Sequence, residues 1–128
     1  TQSGPQKSGI ILTERGTFFG YQRLVNDFIG VADMMDLGWP VCFDVTHSTQ
    51  LPGAGSAPGE KGTRITAGRR DRAPMLARCA AVAGVQALFM ETHPTPDKAM
   101  SDSATTLPLE QTIQLLGEIK ALRDAMGA

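Results

Sequence analysis

Apolar and polar positions along the chain form two kinds of segment that alternate. Short runs of apolar, often β-branched residues predict buried strands at 10–13, 40–45 and 87–90. Longer segments with apolar residues at helical spacing predict helices at 21–37, 73–84 and 108–126, the last with Pro108 in its first turn. The expected order is therefore β-α-β-α-β-α. Between these elements, the stretches 48–70 and 92–106 are predicted to be long polar loops.

Each predicted helix carries one apolar stripe that we expect to face a sheet. In the last helix the stripe consists of Leu109, Ile113, Leu116, Ile119, Leu122 and Met126. Positions 75, 76, 79, 80 and 82 form it in the second helix, and positions 24, 25, 28, 29, 32 and 35 in the first. Nearly uninterrupted apolar strands are covered on both faces, which is typical of a parallel sheet with right-handed crossovers. The pattern leaves open a small three-layer fold or a piece of a larger one.

Composition indicates a soluble globular chain of 128 residues, with 41% hydrophobic and 20% charged residues. A formal net charge of −1 gives no general attraction for nucleic acid or anionic lipid. No apolar run is long enough for a membrane span. Without a recognisable signal peptide, Cys42 and Cys79 are expected to be buried free thiols in the cytoplasm.

Polar side chains follow all three predicted strands: Glu14-Arg15, Thr46-His47 and Glu91-Thr92-His93. Ligands of parallel α/β folds bind at the carboxyl ends of the strands, so these clusters predict one shared site. Strand alternation puts His47 on the face of Val41, Phe43 and Val45. If the equivalent faces of all three strands line one interior, Arg15, His47 and Glu91 converge. Cys42 then lies on the opposite face and is not expected to be a metal ligand.

His47, Glu91 and Asp102 have the chemistry of a divalent-metal site, since imidazole with carboxylates suits Mn, Fe or Zn. Their spacing is not a local metal signature. Each also has an ordinary alternative: a hydrogen-bonded structural histidine, an ion-pair partner and a turn residue, respectively.

Arg15 is the best candidate for anion binding, because a guanidinium matches a phosphate with a planar fork of donors. The alternative is a salt bridge with its neighbour Glu14. His93 is either a proton-transfer group or a structural residue before Pro94. The arginines at 69, 70 and 72 are either a solvated entry to the second helix or part of a lid that touches a phosphorylated substrate.

Three segments resemble signature segments of the bacterial 3-deoxy-D-manno-octulosonate 8-phosphate synthases. They are LTERGTFFGYQRLVNDF (12–28), FDVTHSTQLPG (43–53) and FMETHPTPDKAMSDSATTLPL (89–109). The resemblance implies a (β/α)8 TIM barrel in which this chain supplies strands six to eight with their helices. Residues 1–128 would be the C-terminal part of one barrel domain, and the N-terminal strands would lie outside this sequence.

The resemblance also implies roles for individual residues. Arg15 matches the arginine that binds the phosphate of phosphoenolpyruvate, and Gln50 a glutamine near the substrates. His47, Glu91 and Asp102 match metal ligands of the metal-dependent class, with His47 and Asp102 also serving catalysis. The fourth ligand in that class is a cysteine on the first strand, which a metal-free class replaces by asparagine. That position lies outside this sequence, although METHP and SDSAT favour the metal-dependent class.

The implied reaction condenses phosphoenolpyruvate with D-arabinose 5-phosphate to give 3-deoxy-D-manno-octulosonate 8-phosphate and phosphate, a lipopolysaccharide precursor. Members of the family are cytoplasmic homotetramers. The sister 3-deoxy-7-phosphoheptulonate synthases share the barrel and the ligands, but they carry DPSH where this chain has DVTH. A further alternative is an inactive fragment that at most binds phosphate or metal, since three βα units leave both sheet edges open.

Overall fold

The computed structural model describes residues 9–18, 21–56 and 64–127. Nine short strands and three helices occur in these ranges. The strands are β1 (Leu12–Glu14), β2 (Thr17–Phe18), β3 (Leu24–Val25), β4 (Val41–Asp44), β5 (Gln50–Ser56), β6 (Arg64–Gly68), β7 (Ala87–Phe89), β8 (Thr92–His93) and β9 (Leu107–Pro108). The helices are α1 (Phe28–Asp36), α2 (Ala73–Ala83) and α3 (Leu109–Ala125).

The three predicted strands form one parallel sheet in the order β1-β4-β7. Thr13 pairs with Cys42, and Cys42 pairs in turn with Ala87 on the other side. The helices α1, α2 and α3 follow β1, β4 and β7 along the chain, so the expected β-α-β-α-β-α order is confirmed. This mixed α/β content and parallel sheet are consistent with a (β/α)8 fold.

The first helix is shorter than predicted, because it begins at Phe28 and not at residue 21. Tyr21 and Gln22 have φ angles of 49° and 52°, a left-handed conformation that a right-handed helix cannot contain. β2 and β3 pair there as an antiparallel ladder. Asp27 then caps α1, since its side chain accepts a hydrogen bond from the backbone N–H of Gly30 at 3.0 Å.

The two predicted loops also contain strands. β5 and β6 form an antiparallel ribbon that joins Gln50 to Gly68 at its base. β8 pairs in parallel with β9 and brings the end of the 92–106 stretch back to the strand region. Both ribbons position site residues, as described below.

The face assignment for the middle strand was wrong. Val41, Phe43 and Val45 are fully buried, in a core that includes Val31, Ala77 and Leu115 of the helices. Cys42 therefore lies on the opposite face of the sheet, together with Thr13 and Ala87. Strand pairing ends at Asp44, and His47 lies in a short 3-10 turn formed by residues 47–49, where alternation no longer applies.

The helices bury only part of each predicted stripe. Ala80 is buried as predicted, and Met35, Leu76 and Ile119 pack partly buried against the core. In α3 the buried positions are Thr112 and Leu115, whereas Leu109, Ile113 and Leu116 are 41%, 63% and 49% exposed. In α2 the small residues Ala73, Ala77, Ala80 and Ala81 face the core, and Met75 and Val82 are half exposed. In α1 the buried residue is Val31. Both cysteines are free as expected, but neither is fully buried, since Cys42 is partly buried and Cys79 is exposed.

None of the described helices combines the length and the apolar character that crossing a bilayer requires.

Candidate metal and anion site

Three side chains from separate parts of the chain meet beyond the carboxyl ends of β4 and β7. The Nε2 atom of His47 lies 3.7 Å from Oε1 of Glu91 and 3.9 Å from Oδ2 of Asp102. One ligand atom from each of the three residues lies within 4.8 Å of the others. The predicted convergence of His47, Glu91 and Asp102 is therefore present.

Asp44, the last residue of β4, contacts His47 on the ring edge opposite Nε2. Its Oδ1 accepts a hydrogen bond from the backbone N–H of His47 at 2.9 Å, and its Oδ2 lies 2.8 Å from the ring Nδ1. The ring of His47 stacks on Phe89, with centroids 5.8 Å apart and an interplanar angle of 25°. The opposite ring nitrogen, Nε2, therefore faces the two carboxylates.

Glu91 is positioned through its backbone. Its N–H donates to Oγ1 of the fully buried Thr46 at 2.7 Å, and its carbonyl accepts from the backbone N–H of Leu107 at 3.0 Å. Thr46 immediately precedes His47, so this contact ties the two metal-ligand candidates together across the ends of the strands.

Asp102 lies on a turn with a left-handed backbone conformation, φ 50°. Its carbonyl oxygen accepts from the backbone N–H groups of Thr105 and Thr106, both at 2.9 Å, and from both threonine hydroxyls. The two threonines are nearly completely buried. Four hydrogen bonds to one carbonyl fix the direction in which the Asp102 side chain leaves the turn.

Arg15 and Asp102 are linked through Gln50. The guanidinium of Arg15 donates to Oε1 of Gln50 at 3.0 Å, and Nε2 of Gln50 donates to Oδ1 of Asp102 at 3.3 Å. One amide thus contacts both the predicted phosphate-binding arginine and a predicted metal ligand. A cavity of about 520 Å³ adjoins Gln50 and Asp102, a size suited to small metabolites.

Arg15 does not pair with Glu14. One carboxylate oxygen of Glu14 accepts from the backbone N–H of Gly16 at 2.7 Å and from Nδ2 of Asn26 at 3.0 Å. No carboxylate of the described residues lies within salt-bridge distance of Arg15. The Arg15 guanidinium therefore keeps donors available for an anion.

The geometry and the charge of the three ligand candidates fit a divalent cation. Ligands about 2.0–2.2 Å from one metal lie roughly 3–3.6 Å apart, so the observed separations need only small closure. Across the described ranges, no lysine or arginine pairs with Glu91 or Asp102. Two carboxylates close together without a cationic partner favour a bound cation.

Cys42 is not part of this group. Burial raises the pKa of its thiol, and the nearby charge of Asp44 raises that pKa further. The exclusion of Cys42 as a ligand agrees with the structure, although the strand-face reasoning that led to it was incorrect.

The remaining candidates have structural contacts. Nδ1 of His93 accepts from the backbone N–H of Thr95 at 2.9 Å, which agrees with the structural alternative. Arg69 and Arg72 both pair with Asp71 at the entry to α2. Arg70 contacts the chain on both sides of Asp102, namely Asp97 at 3.0 Å and the carbonyl of Ser103 at 3.2 Å.

Gly68 allows the base of the β5–β6 ribbon to approach the Asp102 turn. A Cβ at this position would lie 2.3 Å from Cγ2 of Thr105 and 2.7 Å from the carbonyl oxygen of Ala104. The sequence indicated Asp102, and Thr46 only as a polar neighbour of His47. It did not indicate a role for Asp44 or Gly68, because these residues act through contacts set by tertiary structure. The position of Gly68 directly before Arg69 and Arg70 was the only local indication that this glycine has a specific role.

We expect Gly68→Ala to lower the free energy of unfolding by about 1–3 kcal/mol, the usual cost of overpacking, and to weaken metal binding by displacing Asp102. Gly117→Ala is the matched control, since no atom lies within 4 Å of a Cβ there and alanine favours a helix by roughly 0.5–1 kcal/mol. Thermal unfolding and Co²⁺ titration measure both effects. Equal behaviour of the two variants would contradict the role of Gly68.

The chain is similar in sequence to known proteins over most of its length. A protein of Thioalkalivibrio sulfidiphilus, named 2-dehydro-3-deoxyphosphooctonate aldolase, is 48% identical over 119 residues, covering 93% of this chain and 40% of its own length. The proteins of the same name from Protochlamydia amoebophila and Alkalilimnicola ehrlichii are 46% and 49% identical, over 90% and 88% of this chain. The chain spans about 40% of the length of these relatives.

Solved structures agree with the fold. The crystal structure of phospho-2-dehydro-3-deoxyheptonate aldolase (DAHP synthase) from Thermotoga maritima superposes with a TM-score of 0.72 at 32% identity, covering 93% of this chain and 31% of that one. A truncated form of the 3-deoxy-D-arabino-heptulosonate 7-phosphate synthase from the same organism gives a TM-score of 0.72 at 33% identity, and the match covers 93% of this chain and 40% of that one. The profile of the family described as DAHP synthetase I matches residues 2–127. Because the profile matches nearly the whole sequence and the fold agrees, the chain belongs to the DAHP synthetase I family.

Proposed function

We propose that the chain carries the phosphate- and metal-binding part of a 3-deoxy-D-manno-octulosonate 8-phosphate synthase. The observation that carries the proposal is the Gln50 amide, which contacts both Arg15 and Asp102. This contact supports the proposal, because a candidate anion-binding group then lies beside a candidate cation-binding group, as a reaction of an enol phosphate with an aldehyde requires. The relatives that are 46–49% identical carry the octonate name, which supports the octulosonate reaction over that of the sister synthases.

We place β1, β4 and β7 at strands six, seven and eight of a (β/α)8 barrel, with the N-terminal strands supplied by the rest of the enzyme. Within the described residues, β1 and β7 form the two edges of the sheet. On the face away from the helices, Ile11 is 58% and Phe89 44% exposed. The exposed stripe of α3 defined by Leu109, Ile113 and Leu116 is a second apolar surface that a neighbouring helix of the barrel would cover.

The reaction joins C3 of phosphoenolpyruvate to the aldehyde carbon of arabinose 5-phosphate. Water adds to C2, and inorganic phosphate leaves with cleavage of its C–O bond. Arg15 binds the phosphate of the enol and balances its charge. Gln50 orients Arg15 against Asp102, and Asp102 is also placed to accept a hydrogen bond from a substrate hydroxyl.

His47, Glu91 and Asp102 would hold a divalent metal, with Mn, Fe or Zn suited to the nitrogen and oxygen donors. Such an ion polarises an aldehyde oxygen or lowers the pKa of water when it is bound. The metal-dependent class needs a further cysteine ligand from the first strand of the barrel. The protein is proposed to act as a homotetramer in the cytoplasm, in lipopolysaccharide precursor synthesis.

A second candidate is an inactive fragment, favoured by the open edges and exposed apolar surfaces of the three βα units. Mass measurement of the protein from its source separates the two candidates. A species whose mass corresponds to the length of the relatives, or a co-purifying N-terminal piece, supports the synthase. A lone 13.6 kDa monomer without turnover supports the fragment.

Phosphate release with two aldehydes tests the activity of the complete enzyme, meaning this chain together with the rest of its barrel. An eight-carbon product requires arabinose 5-phosphate, whereas the seven-carbon product of the sister enzymes requires erythrose 4-phosphate. We expect turnover of phosphoenolpyruvate with arabinose 5-phosphate and a kcat/KM at least tenfold lower with erythrose 4-phosphate, about 1.4 kcal/mol of discrimination. The opposite preference would assign the chain to the sister reaction.

A further inference from the structure

The carboxylate of Asp44 makes two short contacts with the same residue, His47. It accepts from the backbone N–H at 2.9 Å and lies 2.8 Å from Nδ1 of the ring. Asp44 is only 7% exposed, and in the described part of the chain no lysine or arginine lies within salt-bridge distance of it. Both carboxylate oxygens are thus directed at His47.

These contacts determine which ring nitrogen carries the hydrogen. An ionised carboxylate only accepts hydrogen bonds, so Nδ1 must be the donor in the contact with Asp44. In a neutral imidazole, Nε2 then keeps its lone pair. Nε2 is the atom that faces Glu91 and Asp102 at 3.7 and 3.9 Å, and a lone pair at that position is what a metal ligand requires.

We propose that Asp44 is a positioning residue that holds His47 in the Nδ1–H tautomer, with the Nε2 lone pair directed between Glu91 and Asp102. The stacking of the His47 ring on Phe89 restricts the ring plane, and Asp44 determines which edge faces the carboxylates. The inference rests on the proposed function in one respect, namely that His47 binds a metal ion. The tautomer itself does not depend on that function.

Two substitutions at position 44 separate positioning from packing. In Asp44→Asn, one oxygen still accepts from the backbone N–H of His47, so the amide NH₂ is turned towards Nδ1. The ring must then accept at Nδ1 and carry its hydrogen at Nε2, which blocks the metal-binding nitrogen. Asp44→Ala removes the acceptor but introduces no donor towards Nδ1. The ring can therefore still present the Nε2 lone pair, with only a small loss of metal affinity.

We expect the nearly isosteric Asn variant to lose more metal affinity than the smaller Ala variant. A role in packing alone predicts the reverse order, because alanine leaves the larger gap. Outer-shell partners of metal-binding histidines typically contribute about 10–100-fold to affinity, which is the loss expected for Asp44→Asn.

Two measurements on the complete enzyme test the inference. Long-range ¹H–¹⁵N correlation of labelled histidines, recorded on metal-free protein at a pH where the ring is neutral, reports the tautomer of His47. Titration with Co²⁺, followed by its visible absorption, reports the affinity. We expect Nδ1–H in the wild type and Nε2–H in the Asn variant, with a 10–100-fold higher Co²⁺ Kd in the latter.

Asp33→Asn is the matched control, since Asp33 is an exposed acid on α1 and the charge change is the same. It should leave both the tautomer and the Kd unchanged.

Two results would overturn the inference. One is an Asp44→Asn variant that binds Co²⁺ as tightly as the wild type, and the other is a greater loss of affinity in Asp44→Ala than in Asp44→Asn. If neither variant folds, the wild-type tautomer decides, because Nε2–H there excludes the proposed contact. A wild type that binds no Co²⁺ but shows Nδ1–H supports the positioning role and counts against the metal-dependent function.

Discussion

His47→Ala should abolish tight binding of a divalent metal by the complete enzyme. The substitution removes one of three ligand atoms that lie within 4.8 Å of one another, and it leaves Glu91 and Asp102 without the only nitrogen donor of the group. Loss of a direct ligand should exceed the cost of losing an outer-shell partner, so we expect the Kd for Co²⁺ or Mn²⁺ to rise more than about 100-fold. Turnover should fall with it, and the residual activity should no longer respond to chelators.

His93→Ala is the control for this experiment, because it removes the other histidine of the chain by the same substitution. The ring of His93 contacts the backbone N–H of Thr95 and is not one of the grouped ligands. Metal affinity and chelator sensitivity should remain as in the wild type. If His47→Ala also retained both, the ligand assignment would be wrong, and insensitivity of the wild type to chelators would favour the metal-free class.

Much of the fold could be predicted from the sequence, because the order of strands and helices depends on local apolar patterns. The orientation of those elements was harder to predict. In β4, the apolar residues Val41 and Phe43 point towards the helices, and Cys42 points away from them. A strand with apolar residues on both faces does not indicate by itself which face meets a helix.

The helix stripes were only partly correct, for a related reason. In α3 the first half of the predicted stripe, Leu109, Ile113 and Leu116, is exposed, whereas Thr112 and Leu115 face the core and Ile119 packs against it. Large apolar residues also cover surfaces between neighbouring units, so the strongest stripe need not be the one nearest its own sheet. The alanines of α2 are buried because small side chains let the helix approach closely.

The site was partly predictable. His47 and Glu91 were expected together from the strand ends, and Asp102 was added from its chemistry and from the resemblance. The structure brings one ligand atom of each within 4.8 Å of the others. The Gln50 bridge and the Asp44 contact with the His47 ring were not predicted, since each depends on a side-chain direction set by tertiary structure. Local pattern carries no information on whether Arg15 turns to Glu14 or to Gln50.

Arg15→Ala should reduce kcat/KM for phosphoenolpyruvate by about 10²–10³-fold. Truncating one partner of a charged, hydrogen-bonded pair commonly costs about 2–5 kcal/mol, and about 1.4 kcal/mol corresponds to a tenfold change. Arg15→Lys should recover only part of the loss, because an ammonium lacks the planar fork that matches a phosphate. Steady-state kinetics with varied phosphoenolpyruvate and saturating arabinose 5-phosphate measure both variants.

Arg23→Ala provides a matched loss of positive charge from the same connection between β1 and α1. The Arg23 guanidinium lies 5.8 Å from the centroid of the Tyr21 ring, and among the described residues no hydrogen bond or ion pair joins it to Gln50 or to the metal-ligand candidates. It should therefore leave kcat/KM within about twofold of wild type, a change of roughly 0.4 kcal/mol. If both arginine variants lowered kcat/KM equally, general charge around the site would explain phosphate binding. If only Arg15→Ala does so, the phosphate is bound by the guanidinium that Gln50 orients. The phosphate site and the proposed metal site would then be linked through the side-chain amide of Gln50.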